Sequence, residues 1–306
     1  MGGSACREIL PFGPGKGGLA MLAVVGFPPE GWEGVEPPEG KRINSDVSGR
    51  YDAAHKILGA GARMQTDIFP VLILNALPAA GKSEIIAYLG TVEEQARARR
   101  FHVGPLRVLD DFPMLWTWFE EDNLLERVFH RPRLHTTPEG YFLHQDLWHL
   151  LIRRLALDYE KLRRDNPGPY TAIIEFSRGE GHGGYRRAYP HLGAQILENA
   201  AAMYVRVSFA ESLRKNRERH NPTRPDSILE HSLSDDKMRR LYGADDWPEF
   251  SGGEASYLRV NSFEVPQVVF DNQDDLTTAG GEPLGRRLEE RLGALWGLWK
   301  NRPTAT

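Results

Sequence analysis

The sequence predicts an α/β fold with a mainly parallel sheet covered by helices on both faces, and three observations carry that prediction. Short β-rich apolar runs alternate with longer stretches of helical periodicity, the pattern of βαβ units. One apolar run passes through a tight loop into Gly81-Lys82-Ser83, which opens an amphipathic stretch. No run approaches the ~18 consecutive apolar residues of a membrane span. The expected strands are Val71–Leu77, Leu106–Leu109, Thr171–Phe176, Met203–Phe209 and Gln267–Phe270. Helices are expected over Lys82–Leu89, Phe142–Arg164, Ala210–Arg219 and Leu284–Trp299, and Tyr257–Val260 with Val265–Phe270 as a hairpin before the last core strand.

Composition divides the chain unevenly. Residues 1–63 hold 13 Gly and 6 Pro, against 18 Gly and 15 Pro in the 243 residues that follow. Glycine loses much backbone entropy on ordering, and residues 1–63 offer one apolar stretch, Leu19–Phe27, to offset it. They are expected to form a disordered Gly/Pro-rich extension, with a single domain over 64–306. A single cysteine, Cys6, excludes a disulfide framework and a Cys-rich metal site and fits a reducing, cytoplasmic setting. The net charge of −4 argues against a protein whose main business is coating nucleic acid. Oligomeric state is left open.

The richest segment is Val71-Leu-Ile-Leu-Asn-Ala76-Leu-Pro78-Ala79-Ala80-Gly81-Lys82-Ser83-Glu84. A buried strand, a tight loop and a helix N-terminus surround an anion with backbone N–H groups, and the helix dipole favours negative charge there. Lys82 is placed to reach β- and γ-phosphates, and the Ser83 hydroxyl to hold Mg²⁺. Ala76, Pro78, Ala79, Ala80, Gly81, Lys82, Ser83 and Glu84 are the expected nucleotide-binding residues. The departure from the common pattern is Ala76 in place of glycine, where a positive φ would be costly.

These motifs resemble the P-loop nucleoside and nucleotide (small-molecule) kinases over roughly Pro70 to Phe270, with a degenerate Walker A sequence, ALPAAGKS. The resemblance implies a three-layer fold with a five-stranded, mainly parallel sheet and an arginine-rich lid at about 210–246. It implies ATP and Mg²⁺ as cofactors, and phosphoryl transfer to a nucleoside, nucleotide or other hydroxyl compound. A partner-regulated P-loop ATPase and a nucleotide-binding protein without kinase activity are the alternatives.

Ligands in such sheets sit beyond the carboxyl ends of the strands. The second strand ends in Asp110-Asp111-Phe112, similar to the Asp-Asp-Phe of uridine-kinase-like enzymes, where a carboxylate serves the acceptor hydroxyl or the metal. The other reading is that Asp111 caps the helix after Pro113. The third strand ends in Glu175-Phe-Ser-Arg178, an acid beside the phosphate loop in the manner of Walker B. On the resemblance, Glu175 assists metal or acceptor, and Arg178, with Asp111, binds substrate. A partly buried Glu175–Arg178 ion pair is the bland alternative.

Past the fourth strand, Arg214, Arg217 and Arg224 fall where nucleotide kinases carry a lid. Guanidinium forks suit phosphate oxygens, so Arg214 and Arg217 join Lys82, Asp110, Asp111 and Glu175 as the expected catalytic residues. A solvated basic helix face balanced by Asp235 and Asp236 is the alternative. Asp271-Asn272-Gln273-Asp274 falls where related kinases contact the base, or forms a plain turn with an Asx cap. Ten histidines show no zinc-helix spacing, and no transition-metal site is expected.

Overall fold

The computed structural model describes residues 67–219, 223, 232–253 and 256–303. The extension expected over 1–63 and the Arg224 loop therefore lie outside the described residues. In chain order the elements are β1 (Val71–Ala76), α1 (Lys82–Thr91), α2 (Glu94–Phe101), β2 (Leu106–Asp110), α3 (Phe112–Arg127), α4 (Asp146–Asp165) and β3 (Thr171–Phe176). They continue with α5 (Gly184–Ala188), α6 (Ala194–Leu197), β4 (Ala200–Arg206), α7 (Phe209–Glu218), α8 (Asp235–Tyr242), α9 (Trp247–Ser251), β5 (Tyr257–Val260), β6 (Phe263–Asp271), α10 (Leu276–Ala279) and α11 (Gly281–Lys300).

The sheet has six strands in the order β2-β3-β1-β4-β6-β5. Five are parallel, and β5 adds an antiparallel edge through its hairpin with β6. Five strands were expected in the sheet. The sixth comes from the hairpin, whose turn residue Asn261 adopts φ 54°, a conformation asparagine tolerates.

β1 is buried along its whole length, as the centre of a sheet covered on both faces requires. Its residues alternate between two cores. Leu72, Leu74 and Ala76 pack with Ile85 and Leu89 of α1, Phe101 of α2, and Leu284, Leu288, Leu292 and Leu295 of α11. Val71 and Ile73 face Ile152, Leu155 and Tyr159 of α4, Tyr185 and Tyr189 after β3, and Trp247 of α9. The three-to-four spacing in α4 and α11 gives each helix one apolar stripe. The result is three layers, and its strand order puts β1, with the loop after it, between β3 and β4. This is a three-layer α/β fold with a mainly parallel sheet.

The fourth strand lies three residues earlier than expected. Ser208 accepts a hydrogen bond from the Glu211 N–H at 3.2 Å and so starts α7 at Phe209, ending the strand by N-capping. The long fourth helix starts at Asp146 rather than Phe142, because Phe142 is drawn into a bridge with Thr136. Asp122 fixes that connection: its buried carboxylate accepts hydrogen bonds from the N–H groups of Leu134, His135 and Thr136 and from the Thr136 hydroxyl at 2.6–2.9 Å. Among the described residues, no helix is long and apolar enough to cross a membrane.

Candidate phosphate-loop site and its carboxylates

Residues 77–81 turn the chain from β1 into α1. Ala76 is the last strand residue and is not among the positive-φ positions, which are Ala79 (φ 55°) and Gly81 (φ 112°). The expected cost of alanine at position 76 is therefore not incurred; the strained residue is Ala79. The loop is anchored at three carbonyls. Tyr185 donates to the Ala76 carbonyl at 3.0 Å, Ser212 of α7 to that of Pro78 at 2.7 Å, and Asn272 to that of Ala80 at 2.9 Å. Asn272, wholly buried, also donates to the Thr277 hydroxyl and accepts from the Thr277 N–H. A Cβ on Gly81 would run into Thr277 and Asn272. The Asp271–Asp274 stretch thus buttresses the loop, through its Asn272, by the Asx-type bonding read as the plainer option.

Gly81 caps α1 with no side chain, so Lys82, Ser83 and Glu84 follow in the helix's first turn with its free N–H groups. The Lys82 ammonium donates to the Ser177 hydroxyl at 2.8 Å. Ser83 and Glu84 are exposed.

Strand pairing sets the carboxylates. Asp110 on β2 is in register with Glu175 on β3, and Glu175 with Leu74 on β1. The two carboxyl groups are neighbours at the ends of adjacent strands, and each makes the charged form of the other less favourable. Burial pushes the Asp110 carboxyl well above the usual carboxylate range, with Glu175 and Asp111 adding to the rise and Lys82 opposing it. Burial likewise raises Glu175, while Lys82 draws it back and Asp111 adds to the rise. The two titrate as a pair. Glu175 Oε2 is buried with no hydrogen-bond partner among the described residues.

Asp111 occupies the N-cap position of α3 but makes no capping hydrogen bond with its side chain. It forms a 2.7 Å ion pair with Arg178 instead. The Arg178 guanidinium also donates to the carbonyls of Ser177 at 2.7 Å and Trp148 at 3.1 Å, and lies over the rings of Trp148 and Phe176. It is 1% exposed. The ion pair that the plainer reading gave to Arg178 and Glu175 is made by Arg178 with Asp111.

The arginines expected in a lid, Arg214 and Arg217, are engaged at the surface. Arg214 pairs with Glu211, Glu218 and Asp275, and Arg217 with Asp235. Arg219, which follows α7, feels the charges of Glu84, Glu175 and Asp110. Sequence reading passed over it because three arginines within six residues differ only in helical phase. Helices α7 and α8 meet the loop after β1 through a small core of Leu77, Leu213, Met238 and Tyr242.

Ser83 and Glu175 suit a hard divalent cation: an exposed hydroxyl at the helix start and a buried carboxylate oxygen lacking a partner. Among the described residues no three His, Cys, Asp or Glu side chains form a metal cage.

No family model matches the sequence, and no curated protein matches it. Similar solved structures include an unliganded sugar kinase from Janibacter sp. HTCC2649, at 14% identity over 74% of this chain and 98% of that chain, TM-score 0.38. Kti12 from Chaetomium thermophilum in complex with ADP-AlF3 matches at 14% identity over 74% and 98%, TM-score 0.40. TT1252 from Thermus thermophilus matches at 15% identity over 78% and 100%, TM-score 0.31.

Proposed function

We propose that the chain is a nucleotide-dependent phosphotransferase that moves the γ-phosphoryl group of Mg-ATP to a hydroxyl of a small molecule. The observation that carries this reading is the placement of Asp110, Asp111 and Glu175 at the ends of β2 and β3, beside Lys82 at the start of α1. A loop that binds phosphate accounts for nucleotide; three carboxylates at the neighbouring strand ends account for an acceptor whose proton must be taken.

In this reading the N–H groups of residues 79–83 and the Lys82 ammonium hold the β- and γ-phosphates. Ser83 and Glu175 hold the Mg²⁺, which neutralises phosphate charge when bound. Asp110 is the group suited to accept the acceptor's proton, since it stands at a strand end and burial raises its affinity for protons. Arg178 is a positioning residue that fixes Asp111 rather than a direct substrate ligand, because its guanidinium is enclosed. Arg219 supplies lid charge toward the same carboxylate group, and Arg214 and Arg217 reach the phosphoryl group only by leaving their surface ion pairs. The connectivity balances: the acceptor oxygen bonds to the γ-phosphorus, the bond to the β–γ bridging oxygen breaks, ADP leaves with that electron pair, and the hydroxyl proton passes to Asp110.

The test is incubation with Mg-ATP and a broad panel of hydroxyl compounds, reading product by mass and ADP by coupled assay. Acceptor-dependent ADP release that disappears in Asp110→Asn supports the reading. Steady ATP hydrolysis that no acceptor stimulates favours a partner-regulated ATPase, and tight nucleotide binding without turnover favours a binding protein.

A further inference from the structure

The Lys82 ammonium, whose expected partner is phosphate, gives a hydrogen bond in this structure to the Ser177 hydroxyl at 2.8 Å. An ammonium has three protons to donate, and a serine hydroxyl has one proton and two acceptor sites. By accepting from Lys82, Ser177 keeps its own proton to donate. Both members of the pair therefore still have protons to offer a ligand. Lys82 and Ser177 are each half-buried, so neither is sealed away from one.

Ser177 is held in place from both sides. The Phe176 carbonyl, in the peptide unit before it, accepts from the Asn75 side-chain amide at 3.1 Å. The Asn75 amide oxygen in turn accepts from the Tyr189 hydroxyl at 2.6 Å, and both of these residues are wholly buried. The Ser177 carbonyl, in the peptide unit after it, accepts from Arg178 at 2.7 Å. Arg178 is itself clamped by Asp111 and by the Trp148 carbonyl. The two peptide units that set the direction of the Ser177 side chain are thus pinned to β1 and, through Arg178, to α3 and α4. A donor fixed beforehand has less freedom to lose when it binds.

Position along the strand says which phosphate this donor meets. Ser177 follows β3 directly, two residues after Glu175, and Glu175 is in register with Asp110. Asp110 and Glu175 both feel the Lys82 charge. Ser177 therefore approaches Lys82 from the strand that carries Glu175, whereas residues 79–83 approach it along the chain from β1. In the phosphotransferase reading, the γ-phosphoryl group is the one that faces these carboxylates, because the acceptor gives up its proton there.

We infer that Ser177 is a ligand of the γ-phosphoryl group. Its hydroxyl and the Lys82 ammonium, bonded to each other in this structure, take the same terminal phosphate between them, and the chain thereby tells a nucleoside triphosphate from a diphosphate. The inference rests on the phosphate-loop reading and extends it to a residue outside the loop. A phosphate oxygen is a charged acceptor, and hydrogen bonds to charged groups are the stronger ones. A serine that only steadied Lys82 would act on diphosphate and triphosphate alike, since Lys82 is placed to meet both β- and γ-phosphates.

The experiment measures the affinity of the full chain, with Mg²⁺, for ADP and for adenylyl imidodiphosphate, an ATP analogue that resists hydrolysis. Calorimetry is run on wild type, Ser177→Ala, Ser177→Thr and Lys82→Ala. Ser177→Ala is expected to weaken the triphosphate analogue by about 10-fold or more and ADP by no more than about twofold. Ser177→Thr, which keeps the hydroxyl, should restore the wild-type ratio, and Lys82→Ala should weaken both nucleotides. Equal losses for the two nucleotides in Ser177→Ala overturn the inference and leave Ser177 a support for Lys82. An unchanged affinity for the analogue overturns it as well. If Ser177→Ala does not fold, Ser177→Cys gives the same ratio, because a thiol of similar size is a poor hydrogen-bonding group. Wild type that binds neither nucleotide removes the phosphate-loop reading itself, and the inference with it.

Discussion

Arg178 and Asp111 form a 2.7 Å ion pair, with their side chains 2% and 8% exposed, that ties the strand-three loop to the start of α3. Removing one member leaves a charge enclosed and unpaired, which costs about 3–5 kcal/mol. Arg178→Met is expected to destabilise the protein by about that amount in denaturant unfolding. Combining it with Asp111→Leu should recover much of the loss, since an apolar pair of similar volume avoids the desolvation cost. Additive losses in the double-mutant cycle would show that the two side chains act separately.

Asp110 sets a pH dependence whose sign follows from its raised proton affinity. The unfolded chain releases this proton in the ordinary carboxylate range, while the folded chain keeps it to higher pH. The stability it contributes is full below the ordinary range and lost as pH rises through the folded value. Asp110→Asn should therefore melt above wild type near about pH 8, by about 2–4 °C, and close to it near about pH 4. Parallel melting curves across pH would refute the assignment. Phosphoryl transfer, in contrast, should be lost.

Lys82→Ala removes the ammonium expected to meet the phosphates. Nucleotide affinity by calorimetry should fall about 10–100-fold, the range of a charge-assisted hydrogen bond. The melting temperature should stay close to wild type, because the substituted side chain is only partly buried. An unchanged affinity would move the triphosphate elsewhere.

Ala79 and Ala76 give opposite responses to glycine. Ala79 sits at φ 55°, where an L-residue loses about 1–2 kcal/mol relative to its right-handed conformations. Ala79→Gly should raise stability by up to about 1 kcal/mol. Ala76 ends a buried strand, so Ala76→Gly should lower it by about 0.5–1 kcal/mol despite restoring the common motif. Urea unfolding of both variants decides the matter.

The sheet was largely legible in the sequence because β1 and β3 are unbroken apolar runs and the residues after them punctuate clearly. β4 was misplaced because Ala200–Ala202 carry little strand preference, while Phe209, an apolar residue, turned out to begin a helix. At the site, Asp110, Asp111 and Glu175 were legible from strand ends alone, since topology brings those ends together. The choice of partners was not. Asp111 and Arg178 are 67 residues apart in the chain, and nothing local distinguishes an Arg178 that pairs with Asp111 from one that pairs with Glu175. The same holds for Asn272, whose bond to Ala80 spans 192 residues. Arg214 and Arg217 had their acidic partners nearby, Glu211, Glu218 and Asp235, and charge balance was there to be read.

The Asn272 anchor bears on how the protein is made. The loop between β1 and α1 is synthesised early, yet its Ala80 carbonyl is held by Asn272, Gly81 lies against Asn272 and Thr277, and its strand packs beneath α11. A ribosome delivers residue 81 long before residue 277. Nascent chains arrested ahead of Thr277 should therefore carry the complete loop sequence without retaining nucleotide, and the site should switch on only when the last tenth of the chain emerges.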